Sequence, residues 1–180
     1  MSVNVIPEVI NDMRVYLDGA DDMIGCKEFK LPELAALTAD VEGIGIAGKI
    51  EAPIEGHFDS LEAELTWQLP TKTSTRLVAG TTVSLDAYAD LQSYDGGASA
   101  YAHDSYHVVI RGRVKSHDPG TLKAGEAMES KTTIECHYIK ISIGDSELCE
   151  IDKFGFKSVV GGVDLLEQVS QKHWDVREES

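Results

Sequence analysis

The feature that most constrains this chain is a strict alternation of apolar and polar residues over several long runs. In the run 61–69, Leu61, Ala63, Leu65, Trp67 and Leu69 alternate with Glu62, Glu64, Thr66 and Gln68. Side chains of a strand point to opposite faces with a period of two, so this pattern buries one face and wets the other. The same reading holds for Val83, Leu85, Ala87, Ala89 and Leu91 against Ser84, Asp86, Tyr88 and Asp90. It holds again for Tyr106, Val108, Ile110 and Val114 against His107, Arg111, Arg113 and Lys115. Between Thr132 and Ile143 both faces are partly apolar, as in a strand within a sandwich, and Leu148–Asp152 forms a further run. Several strands parted by Gly, Asp and Ser turns predict a mainly β, antiparallel sandwich or barrel-like fold.

Helix signals are few. The segment 70–79 closes on Gly80 and predicts one short helix ending at a glycine, and Asp164 is placed to cap a second, with Leu165, Leu166 and Val169 on one face. A length of 180 residues suits a single domain spanning 1–180, with flexible arms expected at 1–11, which contains Pro7, and at 175–180. A polar connection over 116–130 separates two strand-like blocks, and connections of this length usually carry function.

Sixteen Lys and Arg against 31 Asp and Glu give a net charge of −15, which argues against affinity for nucleic acid through phosphate neutralisation. It is compatible with a protein that nucleic acid passes without sticking. Three cysteines, Cys26, Cys136 and Cys149, are too few and too apolar in setting to form a disulfide framework. No basic segment followed by an apolar core opens the sequence, and no apolar run reaches the length of a bilayer span. Synthesis in a cytoplasm and no membrane binding are therefore expected.

Motifs with catalytic meaning fail on inspection. The run from Gly43 to Lys49 fills seven positions of a phosphate-binding loop, but Ile50 stands where a hydroxyl is needed, and Pro53 denies the following helix. Glycines in a turn between two strands explain it better. His103, Asp104 and His107 have metal-pair spacing only for a helix, and Cys136 and His137 point to opposite faces of a strand. No nucleophile elbow is present. These residues predict no enzyme, no metal and no cofactor.

Charge placement is more informative. Glu42, Glu51, Glu55, Asp59, Glu62 and Glu64 face only Lys49 within their stretch, while Arg111, Arg113, Lys115, Lys123 and Lys131 concentrate positive charge later. In a subunit that touches its own copies, such patches favour one docking register.

The blocks Arg111–Lys115, Asp118–Gly120 and Lys123–Lys131 resemble the R-G-R-x-K, D-x-G and K-x-G-E-x-x-E-S-K pattern of the major tail tube proteins of contractile-tailed phages. Val15–Gly19, Leu31–Leu34, Trp67, Leu69 and Gly161–Gln168 match other parts of that family in order and spacing. The resemblance implies a structural subunit that forms hexameric rings stacked into the inner tube of a contractile tail. It implies a channel for the tape measure protein and for DNA during genome ejection, with sheath, baseplate and tail terminator as partners, in the virion.

On that reading Glu51, Glu55, Glu62 and Glu64 are candidate lumen-facing residues. Arg111, Arg113, Asp118, Lys123, Glu126, Glu129 and Lys131 are candidate inter-subunit residues, with 116–130 as the inter-subunit loop. The tube of a phage-tail-like bacteriocin or contractile injection system is an alternative, and a monomeric β-sandwich ligand-binding module is one of another class.

Overall fold

The computed structural model describes residues 5–18, 26–43, 45, 47–70, 72–79 and 82–167. Eleven strands and one helix follow one another among them. They are β1 (Val5–Leu17), β2 (Cys26–Lys30), β3 (Ala36–Val41), β4 (Ile50–Phe58), β5 (Glu62–Trp67), α1 (Lys72–Ala79), β6 (Val83–Asp95), β7 (Ala100–Asp118), β8 (Ser130–Ile143), β9 (Ser146–Asp152), β10 (Lys157–Val160) and β11 (Val163–Asp164). Every pairing is antiparallel.

The main sheet runs β1-β6-β7-β8-β9-β10-β11, and it forks at β8. Thr132–Glu135 and their neighbours in the first half of β8 pair with β5, which carries β2 on its other side, while Tyr138–Ile143 pair with β9. One strand therefore serves two branches, and the apolar faces of both branches close on a common core. Leu61, Ala63, Leu65 and Trp67 come from one branch, and Val15, Leu85, Val108, Ile110, Ile139 and Ile151 from the other. Leu77 of α1 joins them.

The alternation in the sequence sets this arrangement directly, because the residues with apolar phase are the buried ones on β5, β6 and β7. Trp67 lies at the end of β5 away from the fork, opposite Cys26 on β2 and Ser130 on β8. Its indole Nε1–H donates to Thr132 Oγ1 at 3.0 Å, and His117 Nδ1 lies 2.9 Å from the same hydroxyl, so a buried polar pair is satisfied within the core. Gly112 is required by close approach, since a Cβ there would overlap the Glu135 carbonyl.

Three readings differ from the sequence expectation. The expected arm over 1–11 is drawn from Val5 onward into β1, paired along β6 as far as Asp95. Pro7 and two register shifts interrupt its alternation, which is why it reads as irregular from sequence. The connection expected at 116–130 is shorter, because Ser116, His117 and Asp118 pair with Thr133, Thr132 and Lys131. Leu69 is exposed, since β5 ends at Trp67. The helix expected at 70–79 is present as α1. Asp164 Oδ1 accepts from the Leu166 N–H at 2.9 Å, in keeping with a cap, and Val169 and the segment 175–180 lie outside the described residues.

Beyond the core the sheet continues as a ribbon of β1, β6 and β7, in which Val5, Ile6, Val9, Ile10 and Tyr101 are exposed. A second outlying module is the β3–β4 hairpin, a separate two-stranded sheet with Leu37, Val41, Ile50 and Ile54 exposed. The glycines of 43–48 lie in the turn of this hairpin, as the sequence reading of that stretch anticipates.

Candidate assembly surfaces

The four carboxylates assigned to the lumen from sequence do not form one group. Glu51 and Glu55 lie on β4 in the hairpin, whereas Glu62 and Glu64 lie on β5 in the main sheet. Glu62 binds Lys115 of β7, and Glu64 accepts from Lys131 Nζ of β8 at 3.0 Å. Their charge is thus compensated within the subunit. Glu51 sits opposite Asp40 on β3, and Asp40 is paired with Lys49 at 2.8 Å.

The candidate inter-subunit residues are also dispersed. Arg111 covers the Tyr138 ring at 5.0 Å, and Arg113 makes no ion pair among the described residues. Asp118 Oδ1 accepts from the Gly120 N–H at 2.9 Å and, with the bond from Thr121 N–H to Met128 O at 3.1 Å, closes the neck of the 119–129 loop. Gly120 has φ +84°, and a Cβ there would overlap the Met128 carbonyl, so the neck requires glycine. Lys123 and Glu126 pair across the tip at 3.3 Å, beside exposed Leu122. Glu129 binds Lys27 of β2 at 2.6 Å. The acidic and basic stretches seen in sequence therefore meet partly inside one subunit, because β5 and β7 flank β8 in its first half.

Sequence reasoning missed the polar face of β1, β6 and β7. There His103 Nδ1 contacts Asp90 at 2.8 Å, His107 Nε2 contacts Asp86 at 3.4 Å, and the His107 ring stacks on Tyr88 at 4.2 Å. His103 and His107 do share a strand face, yet four residues along a strand span about 13 Å, too far to share one ion. His137 and Cys136 point apart as expected: Cys136 is buried, and the His137 ring lies 4.9 Å from that of Phe154. Among the described residues no group of three or more His, Cys, Asp or Glu is placed to hold a metal. Burial pushes the Cys136 thiol up to about 12 and the Cys26 thiol up to about 11, so both behave as inert small hydrophobes at neutral pH. No described helix is long and apolar enough to cross a membrane.

The hydrogen-bonded lysines hold three carboxyls below the ordinary range: Lys115 acts on Glu62, Lys27 on Glu129 and Lys157 on Glu150. In each case the unfolded chain takes up a proton before the folded one. The stabilisation is complete above the unfolded value, about 4.3, and is lost as pH falls through the lowered folded value. Urea midpoints are expected to stay level from about pH 5 upward through neutrality and to fall below about pH 4. Glu150→Gln should blunt that fall more than Glu62→Gln, because Glu150 is the less exposed (13% against 43%). Midpoints that rise on acidification would contradict the pairing.

With this geometry in view, comparison with known proteins defines the class: a tail tube protein. Residues 7–172 match the family described as Phage tail tube protein FII. The tail tube protein of Escherichia phage P2 is 32% identical over 169 residues, covering 91% of this chain and 95% of that protein. The major tail tube protein of Serratia phage KSP20 is 25% identical over 151 residues, covering 84% and 86%. The chain belongs to the phage tail tube protein FII family. Its fold is also similar, at TM-score 0.50 and 13% identity, to a chain in a sheath/tube terminator structure of an extracellular contractile injection system, over 76% of this chain and 96% of that one. The role is structural, in a tail tube.

Proposed function

We propose that the subunit closes into hexameric rings that stack as the inner tube of a contractile tail, in a virion whose DNA leaves through the channel. The tape measure protein occupies that channel beforehand, and sheath, baseplate and terminator bound the tube. The observation that carries this reading is an edge. β1 is 13 residues long and pairs only with β6 among the described residues, in a chain of the tail tube family. A long open edge invites pairing with another chain, and a subunit that joins its neighbours through strands turns that hazard into a joint. Purified protein should form rings or tubes by electron microscopy, at high concentration or with a tail-tip initiator added. A species that stays monomeric under both conditions overturns the proposal.

The 119–129 loop is assigned to contacts between subunits. Its neck is tied by Asp118, Gly120 and Met128, and its tip displays Leu122 away from the core. Replacing residues 122–127 by a short Gly-Ser link should leave the urea midpoint nearly unchanged, within about 0.5 kcal/mol as for surface changes, while tubes fail to form. A variant that unfolds would place the tip in the subunit's own core.

A further inference from the structure

The β3–β4 hairpin meets the main sheet across a groove of about 210 Å³. Gly56, His57 and Phe58 line it from β4, Ile151 and Phe156 from β9 and the turn that follows, and Leu166 from the chain beyond β11. The space is below the roughly 300–1,000 Å³ of small-molecule sites and suits one large side chain. Gly56 has φ +71°, and a Cβ there would overlap the Leu166 side chain, so the groove requires glycine at this position. The His57 and Phe156 rings meet edge to face, with centroids 6.0 Å apart. Leu166 lines the groove close to where the described chain ends, and residues 168–180 follow it. Their large apolar side chains are Val169, Trp174 and Val176. The family match covers residues 7–172, so Trp174 lies beyond it.

We infer that the segment 168–180 docks in this groove of its own subunit, seats Trp174 beside His57 and Phe156, and so braces the root of the β3–β4 hairpin against the main sheet. The inference concerns the single subunit and stands apart from ring or tube formation. Reach permits it. As a helix, at about 1.5 Å per residue, the path from 166 to 174 spans about 12 Å, and an extended path spans about twice that. Tethering favours it, because a short linker sets an effective concentration in the millimolar range, above that of a second copy in dilute solution. Charge fits as well: Lys153 and Lys157 line the groove, and Glu178 and Glu179 follow Trp174. Lys153 Nζ donates to the Asp59 carbonyl at 2.7 Å and retains donors for a carboxylate. The hairpin stands to gain, since a two-stranded sheet is marginally stable alone and this one pairs with no other strand among the described residues.

The test reads Trp174 fluorescence in the full chain, dilute and unassembled, as the difference between each protein and its Trp174→Phe counterpart. That difference removes the signal of Trp67, which is buried in the core. Acrylamide should quench Trp174 several-fold less than free tryptophan amide, and dilution should not change the ratio. Phe156→Asn should raise quenching to the free level. That substitution spares the fold, because Phe156 is 45% exposed and its φ of +53° suits Asn. In an independent arm, Trp174→Ala should speed amide exchange over Ala36–Val41 and Ile50–Phe58 several-fold and leave β6 and β7 as they are. Trp174 that is quenched like the free amide, or that stays shielded in Phe156→Asn, overturns the docking. Shielding that fades on dilution gives the groove to a second copy and overturns it likewise. Hairpin exchange that ignores Trp174→Ala overturns the brace.

Discussion

Trp67→Ala is expected to remove a large share of the folding stability of this chain. Trp67 is fully buried at the end of β5, where it pairs with residues of β2 and β8. Truncating a buried Trp to Ala costs about 3–5 kcal/mol in lost burial and unfilled space. Domains have only about 5–15 kcal/mol in total, and here the removal also takes a donor from Thr132. Trp67→Phe should fall between, because the ring still fills most of the space and the lost hydrogen bond is worth about 0.5–1.5 kcal/mol. His117 remains beside Thr132 to satisfy the hydroxyl. Urea unfolding followed by circular dichroism checks the order: unsubstituted, then Phe, then Ala. An Ala variant with an unchanged midpoint would show that the β2–β5–β8 branch is not packed around this side chain.

The other large effect is expected in transport and not in folding. Glu51 and Glu55 sit on the hairpin and make no ion pair among the described residues, so Glu51→Lys with Glu55→Lys should cost little stability. If they face the channel, each ring repeats the change in every subunit along the whole tube. Repulsion of the DNA backbone becomes attraction, and ejection from intact particles should slow on the order of tenfold at low salt, recovering as salt rises. Glu62→Lys with Glu64→Lys is the informative contrast, because those carboxylates hold Lys115 and Lys131 within the subunit. That pair should lower the urea midpoint and leave the salt dependence of ejection alone. Normal ejection from particles carrying Lys at 51 and 55 would remove these residues from the channel wall.

Strands that bury one face were legible in the sequence: β5, β6 and β7 announce themselves through alternation and their buried residues follow its phase, while β8 was legible as a strand apolar in part on both faces. The first half of β1 was not legible, since a ribbon exposed on both faces needs no alternation, and Pro7 disguises it. Charge partners were legible only as two stretches of opposite sign. Which carboxylate meets which lysine depends on register, and spacing along the chain does not carry that information. Glu64 and Lys131 lie 67 positions apart and meet because β5 and β8 are neighbours. The neck of the 119–129 loop, by contrast, was foreshadowed by Asp118 and Gly120, whose side-chain oxygen and positive φ make the turn.

The pairing of β1 with β6 also sets a timetable for synthesis. Leu17 meets Leu85 and Val5 meets Asp95, so β1 leaves the ribosome before its partner and stays unpaired with it until β6 emerges. At about 5–20 residues per second that interval lasts several seconds. During it Val5, Ile6, Val9 and Ile10 travel with neighbouring nascent chains on the same message, each presenting the same apolar segment. Proline at position 7 then acts before any tube exists: lacking an N–H, it holds this segment back from stacking on its own copies while the ribosome finishes the strand it is meant to join. The irregularity that hides β1 from a reader of the sequence thus guards the unfinished chain.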